Sequence, residues 1–138
     1  CIADVNPNEI ITRRALIRLM GGYNTVRKYC VAELNNANIA VDDDNLEDCM
    51  ETWAESTIQT IGRWRRHPRL SRILIRILGV RSGSIIIDFE MEADDSSLID
   101  LAFANINETR NNYTNVTLDG GFAFPIGELI EYQVQYII

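Results

Sequence analysis

In the run Arg81-Ser82-Gly83-Ser84-Ile85-Ile86-Ile87-Asp88, a hydroxyl nucleophile directly follows a glycine carbonyl and directly precedes a strand-forming triplet. A serine hydroxyl can attack the carbonyl of the residue before it, exchanging the amide for an ester by an N→O acyl shift that water then hydrolyses. In a relaxed planar amide the step is unfavourable because resonance must be lost. Strand pairing on both sides of the bond can supply the push, since a few kcal/mol of local strain is within what a domain stores. Glycine suits the acyl side, because it accepts unusual φ/ψ values and leaves its carbonyl unshielded. The same dipeptide also suits a plain hairpin turn, with Gly83 supplying a positive φ and Ser84 a local hydrogen bond.

Other chemistry-bearing residues have simpler readings. His67 is the only histidine and sits beside Pro68 at an expected helix end, where a cationic side chain is favoured for structural reasons. Asp42-Asp43-Asp44-Asn45 with Asp48 has oxygen ligands but lacks an alternating calcium-loop geometry, so these residues read as a helix cap and no metal site is implied. No nucleophile-base-acid set, metal cluster or phosphate loop is legible, and no cofactor is implied. The three cysteines, Cys1, Cys30 and Cys49, form neither a CxxC pair nor a zinc spacing, and the odd count leaves one thiol over. Cys30 and Cys49 are expected to pair as a disulfide, which an oxidising compartment permits.

Three N-x-[ST] sequons begin at Asn107, Asn112 and Asn115, all within eleven residues. Their clustering favours a secreted or cell-surface setting with an exposed glycosylated loop. No apolar run approaches the length needed to cross a bilayer, and the sequence contains no basic-then-apolar signal segment; because it starts at Cys1 with no Met, a processed form or excised domain is expected, with targeting or membrane-anchoring information outside this segment. The formal charge of −7 argues against a nucleic-acid partner. A basic stretch from Arg63 to Arg81 is expected to be neutralised by the acidic runs Asp42–Asp48 and Asp88–Asp100.

The elements that must position Gly83-Ser84 follow from periodicity. Asn6-Pro7-Asn8-Glu9 is a helix-start signal, and the spacing predicts a helix to about Met20. Thr25 to Asn35 is rich in β-branched and aromatic residues and predicts a strand. Leu46, Met50, Trp53, Thr57, Ile61 and Trp64 recur at three and four, predicting a helix that closes before Pro68. Ile73, Ile75 and Ile77, then Ile85, Ile87, Phe89 and Met91, switch the period to two and predict a hairpin, with Arg72 and Arg76 near Asp88, Glu90 or Glu92. A second amphipathic helix starts at Asp94-Asp95-Ser96-Ser97, and strands are predicted over 115–124 and 128–138.

The expected fold is α+β: a ferredoxin-like split β-α-β-β-α-β sandwich over 25–124, preceded by a helical extension over 1–24 and followed by an added strand over 125–138. The sequence "GSIII" between two strands, after a Trp-bearing helix that opens "DNLED", resembles the SEA module of membrane mucins and related cell-surface glycoproteins. The stretches "AELNNANIAVDDDNLED" and "NNYTNVTLDG" extend the resemblance, which covers Thr25 to about Leu118. In that family a G-S-[VI]-V-V type sequence bridges two strands and the bond before the serine breaks during folding. The resemblance implies autoproteolysis at Gly83-Ser84, a single event without turnover, in a structural or adhesive extracellular module. The alternative is a non-cleaving ferredoxin-like interaction domain, whose open sheet face and extra terminal strand mediate homo-oligomerisation or bind a protein partner.

Overall fold

A computed structural model describes residues 10–112 and 116–132. Its architecture is α+β, with three helices and a four-stranded antiparallel sheet. In chain order the elements are β1 (Ile11–Leu19), α1 (Tyr23–Asn36), α2 (Asp43–Ile61), β2 (Leu74–Ser82), β3 (Ile85–Ala93), α3 (Ser96–Asn112), β4 (Val116–Thr117), β5 (Ala123–Phe124) and β6 (Ile126–Glu131). The sheet order is β2-β3-β1-β6, and β4 pairs with β5 in a separate two-stranded ribbon.

Two elements change type relative to the sequence expectation. Residues 11–19 form a central strand where a helix was expected, because Ala15, Ile17 and Leu19 bury completely at alternate positions while Arg14, Leu16 and Arg18 face the other way. The capping signal at Asn6-Pro7-Asn8-Glu9 lies outside the described residues. Residues 23–36 form helix α1 where a strand was expected: Val26, Cys30 and Leu34, spaced by four, all turn into the core. Tertiary packing thus overrides β-rich composition at Thr25–Asn35. The expected strand over 115–124 is present only as the short β4 and β5, and β6 begins at Ile126 inside the expected turn.

Helix α2 begins as read. Asp42 is its N-cap, accepting the Asn45 N–H at 2.8 Å, and Asp43 and Asp44 lie in the first turn. It ends at Ile61, before Trp64, because Arg63 takes a left-handed φ of 60° and the chain continues as two 3-10 turns, Trp64–Arg66 and Pro68–Arg72. The terminal carbonyls of α2 are bound from α3: Thr109 Oγ1 donates to Ile61 O at 2.7 Å and Asn105 Nδ2 to Gly62 O at 3.0 Å. Both polar side chains are buried, so these bonds satisfy groups that would otherwise destabilise the interior.

The helices cover one face of the sheet. Ala15, Ile17 and Leu19 of β1 and Ile85, Ile87, Phe89 and Met91 of β3 are fully buried beneath them. Each of the Ile, Leu, Phe and Met side chains contributes about 1.5–3 kcal/mol relative to exposure. The opposite face is open and laced with ion pairs. Asp88 accepts from Arg14 Nε at 3.0 Å and Nη2 at 2.6 Å. Arg76 reaches Glu90 at 2.7 Å and Glu92 at 3.2 Å, as expected for the hairpin, whereas Arg72 pairs with Asp94 at 3.0 Å.

Candidate functional site at the β2–β3 turn

From Gly79 the β2–β3 ladder stays in register to the Ser82–Ile85 pair, leaving only Gly83 and Ser84 between the strands. A two-residue hairpin loop matches the right-handed twist of its strands when both residues have positive φ. Gly83 has φ 107° and Ser84 φ 57°. Gly83 takes this conformation without steric penalty, but for Ser84 the left-handed region is disfavoured by about 1–2 kcal/mol. Strain is therefore localised on the residue that carries the hydroxyl.

Both flanks of the turn are fixed. On the downstream side Ile85 and Ile87 are fully buried, and each is paired on two sides, with β2 and with β1. On the upstream side β2 carries a bulge, where the register jumps between Ile77 and Gly79. A bulge increases local twist, and this one lies four residues before Gly83. Gly79 lets the strand bend there; a Cβ at this position would meet nothing within 4 Å, so the glycine answers no steric demand of its neighbours.

Ser84 has no histidine within reach. His67 lies between the two 3-10 turns, and β2 carries the chain from there to the turn. Nine strand residues at about 3.3 Å each span on the order of 30 Å between the two. A cavity of about 300 Å³ abuts β2 just before the turn, lined by Tyr23, Arg27, Glu47, Glu51, Gly79 and Arg81. Partial burial, with Glu47 and Asp48 nearby, raises the pKa of Glu51 above the ordinary carboxylate range.

The Gly83–Ser84 bond divides the chain between β2 and β3. Strands β1 and β2 precede it, and β3 and β6 follow it. Across the sheet order β2-β3-β1-β6 the two halves therefore alternate, and all three ladders join one half to the other. The disulfide between Cys30 and Cys49, with Cα atoms 5.8 Å apart, ties α1 to α2 and lies wholly in the first half. It joins two helices, where a strand and a helix had been expected. Cys1 lies outside the described residues.

The three sequon asparagines are not all in a loop. Asn107 lies inside α3, half-buried, with its Oδ1 accepting from Arg110 Nη1 at 2.9 Å. Asn112 is the exposed last residue of that helix, and Asn115 lies outside the described residues. Asp42 to Asp48 act at the start of α2, and among the described residues no group of His, Cys, Asp and Glu is arranged to hold a metal ion. Among the described residues no helix is long and apolar enough to cross a membrane, and the disulfide is compatible with an extracellular protein.

Some residues outside the sequence reading also hold the sheet. Arg13 points to the helix side, where it binds Asp100 and Glu131, and its guanidinium lies 4.7 Å from the Phe103 ring centroid. Arg14 lies 4.9 Å from the Tyr132 ring centroid on the open face. The signal for both was the Arg13-Arg14 pair itself, since adjacent strand residues face opposite sides. Set against family models, curated proteins and solved structures, the chain matches none.

Proposed function

We propose that this chain is an extracellular SEA-like module with a ferredoxin-like sandwich, which cuts its own Gly83–Ser84 bond once on folding and keeps the halves together through its sheet. The observation that carries the reading is the strained turn: Ser84, at φ 57°, directly follows Gly83 and closes a hairpin whose flanks are both anchored. Ser84 Oγ attacks the Gly83 carbonyl carbon, the C–N bond breaks, and the hydroxyl proton passes by way of solvent to the departing amine. Water then hydrolyses the ester, leaving a carboxylate on Gly83 and restoring the Ser84 hydroxyl. Strain relieved at the transition state speeds the step tenfold for each ~1.4 kcal/mol.

The alternating strands give the cut a purpose. Separating the halves means breaking all three ladders and exposing the buried isoleucines together, so the cut module stays associated at rest and parts only under force or denaturation. Its role is structural or adhesive, without turnover. The test is denaturing gel and intact mass of folded protein beside Ser84→Ala; two fragments from the wild type and one chain from the variant support the reading.

A second reading, a non-cleaving interaction domain, is favoured by the open sheet face. Leu74, Leu78, Ile130 and Tyr132 are each more than two-fifths exposed there or at the sheet edges. This reading predicts an intact chain and self-association or binding of a protein partner through that surface.

A further inference from the structure

A cavity of about 600 Å³ lies away from the hairpin, between the C-terminal end of α2, the Trp64–Arg66 turn and β4. That volume is in the range of small-molecule sites, about 300–1,000 Å³. Three kinds of group converge on it. Arg65 and Arg66 are exposed at its wall, and neither has an ion-pair partner among the described residues, whereas Arg63 on the same wall pairs with Glu108. Trp64 presents a half-buried indole. Ser56, Gln59 and Thr117 add neutral hydrogen-bonding groups from different directions.

The Trp64 ring is seated by design of the backbone. A Cβ on Gly62 would lie 2.2 Å from the Trp64 Cζ3 and 2.7 Å from its Cε3, so only glycine lets the indole lie against the end of α2. Asp119 is the carboxylate in its lining, Glu108 is engaged by Arg63 at 3.3 Å, and the net charge of −7 disfavours long polyanions over this surface.

From these groups we infer that the cavity binds a polyhydroxylated ring carrying sulfate or phosphate esters. Arginine forks suit the ester oxygens, the neutral side chains suit the ring hydroxyls, and the indole suits the apolar face of the ring. The cavity draws its wall from both sides of the Gly83–Ser84 bond but does not include it, so binding is expected whether or not that bond is intact.

The test uses the full chain, made in a host that adds no N-glycan, with Trp64 fluorescence and calorimetry as readouts at physiological salt. The probes are a sulfated heparin disaccharide, its desulfated counterpart, inositol hexakisphosphate and inorganic sulfate. Saturable binding of the sulfated disaccharide or of inositol hexakisphosphate is expected, and the tighter of the two identifies the ester. Arg65→Gln with Arg66→Gln should weaken it about tenfold or more, as for lost charge-assisted hydrogen bonds. Trp64→Leu should weaken it separately, while Arg76→Gln with Arg81→Gln, equal in charge but on the hairpin, should leave it unchanged. Failure of both esters to saturate would overturn the inference. So would equal affinity for inorganic sulfate or the desulfated sugar, or a hairpin variant as defective as the cavity variant.

Discussion

Consider replacing Gly83 by alanine in a chain that already carries Ser84→Ala and so cannot form the ester. A Cβ at Gly83 would meet only the Ile86 Cδ1, at 3.5 Å, which is ordinary van der Waals contact. Space is therefore not the obstacle, and the whole penalty is conformational: φ 107° lies where L side chains are rarely found. That penalty is about 1–2 kcal/mol or more. With a urea slope of about 2 kcal/mol/M for a domain of this size, the unfolding midpoint should fall by about 0.5–1 M. The converse change, glycine at position 84, relieves a similar backbone penalty but returns about 0.5–1 kcal/mol through the freer unfolded chain, so the midpoint should rise by less than about 0.5 M. Urea titrations followed by circular dichroism measure both shifts. A Gly83→Ala variant as stable as its parent, or a position-84 glycine that destabilises, would mean that the turn does not hold its residues at positive φ.

Three other outcomes follow from named contacts. Glu51, whose pKa is raised first by burial and then by Glu47 and Asp48, contributes stability that is present at acid pH and lost as pH rises through its folded pKa. Glu51→Gln should therefore raise the thermal midpoint at pH 7, by a small amount given that like-charge helix pairs are worth about 0.2–0.5 kcal/mol, and the gain should vanish below the ordinary carboxylate range. Reducing the Cys30–Cys49 bridge, which closes a sequence separation of 19, should lower stability by about 3 kcal/mol, and mass analysis with alkylation before and after reduction should show two protected thiols. In a eukaryotic secretory host, glycopeptide mapping should find glycan at exposed Asn112 and none at Asn107, whose side chain is held by Arg110; the reverse pattern would refute this placement.

How far the sequence could be read depended on where the competing periods differ. The β2–β3 hairpin was legible because Ile73, Ile75, Ile77, Ile85, Ile87, Phe89 and Met91 alternate over two long runs, and α2 because Leu46, Met50, Trp53, Thr57 and Ile61 keep a helical spacing behind an Asp42 cap. Residues 11–19 were ambiguous, since Ala15, Leu16, Ile17 and Leu19 satisfy either period. Only pairing with β3 on one side and β6 on the other selects the strand. In α1 the Val26, Cys30, Leu34 spacing was the better guide, and the β-rich composition around it was misleading. Trp64 fitted the apolar stripe of α2, but the left-handed Arg63 turns it out of that helix and onto the cavity wall. The Gly83-Ser84 bend was visible in its residue types, whereas the interleaving of the two halves across the sheet became visible only once β1 was placed between β3 and β6.

The most direct measurement is the intact mass of the folded wild-type chain, recorded under native and then denaturing conditions. The account predicts one assembly in native buffer that resolves on denaturation into residues 1–83 and 84–138, with Ser84→Ala remaining a single chain of unchanged fold. Denaturant added during refolding should slow the appearance of the fragments, because it weakens the strand pairing that strains the turn. A wild-type chain that stays whole after prolonged incubation in its folded state would contradict the account and leave Gly83-Ser84 as a relaxed hairpin turn.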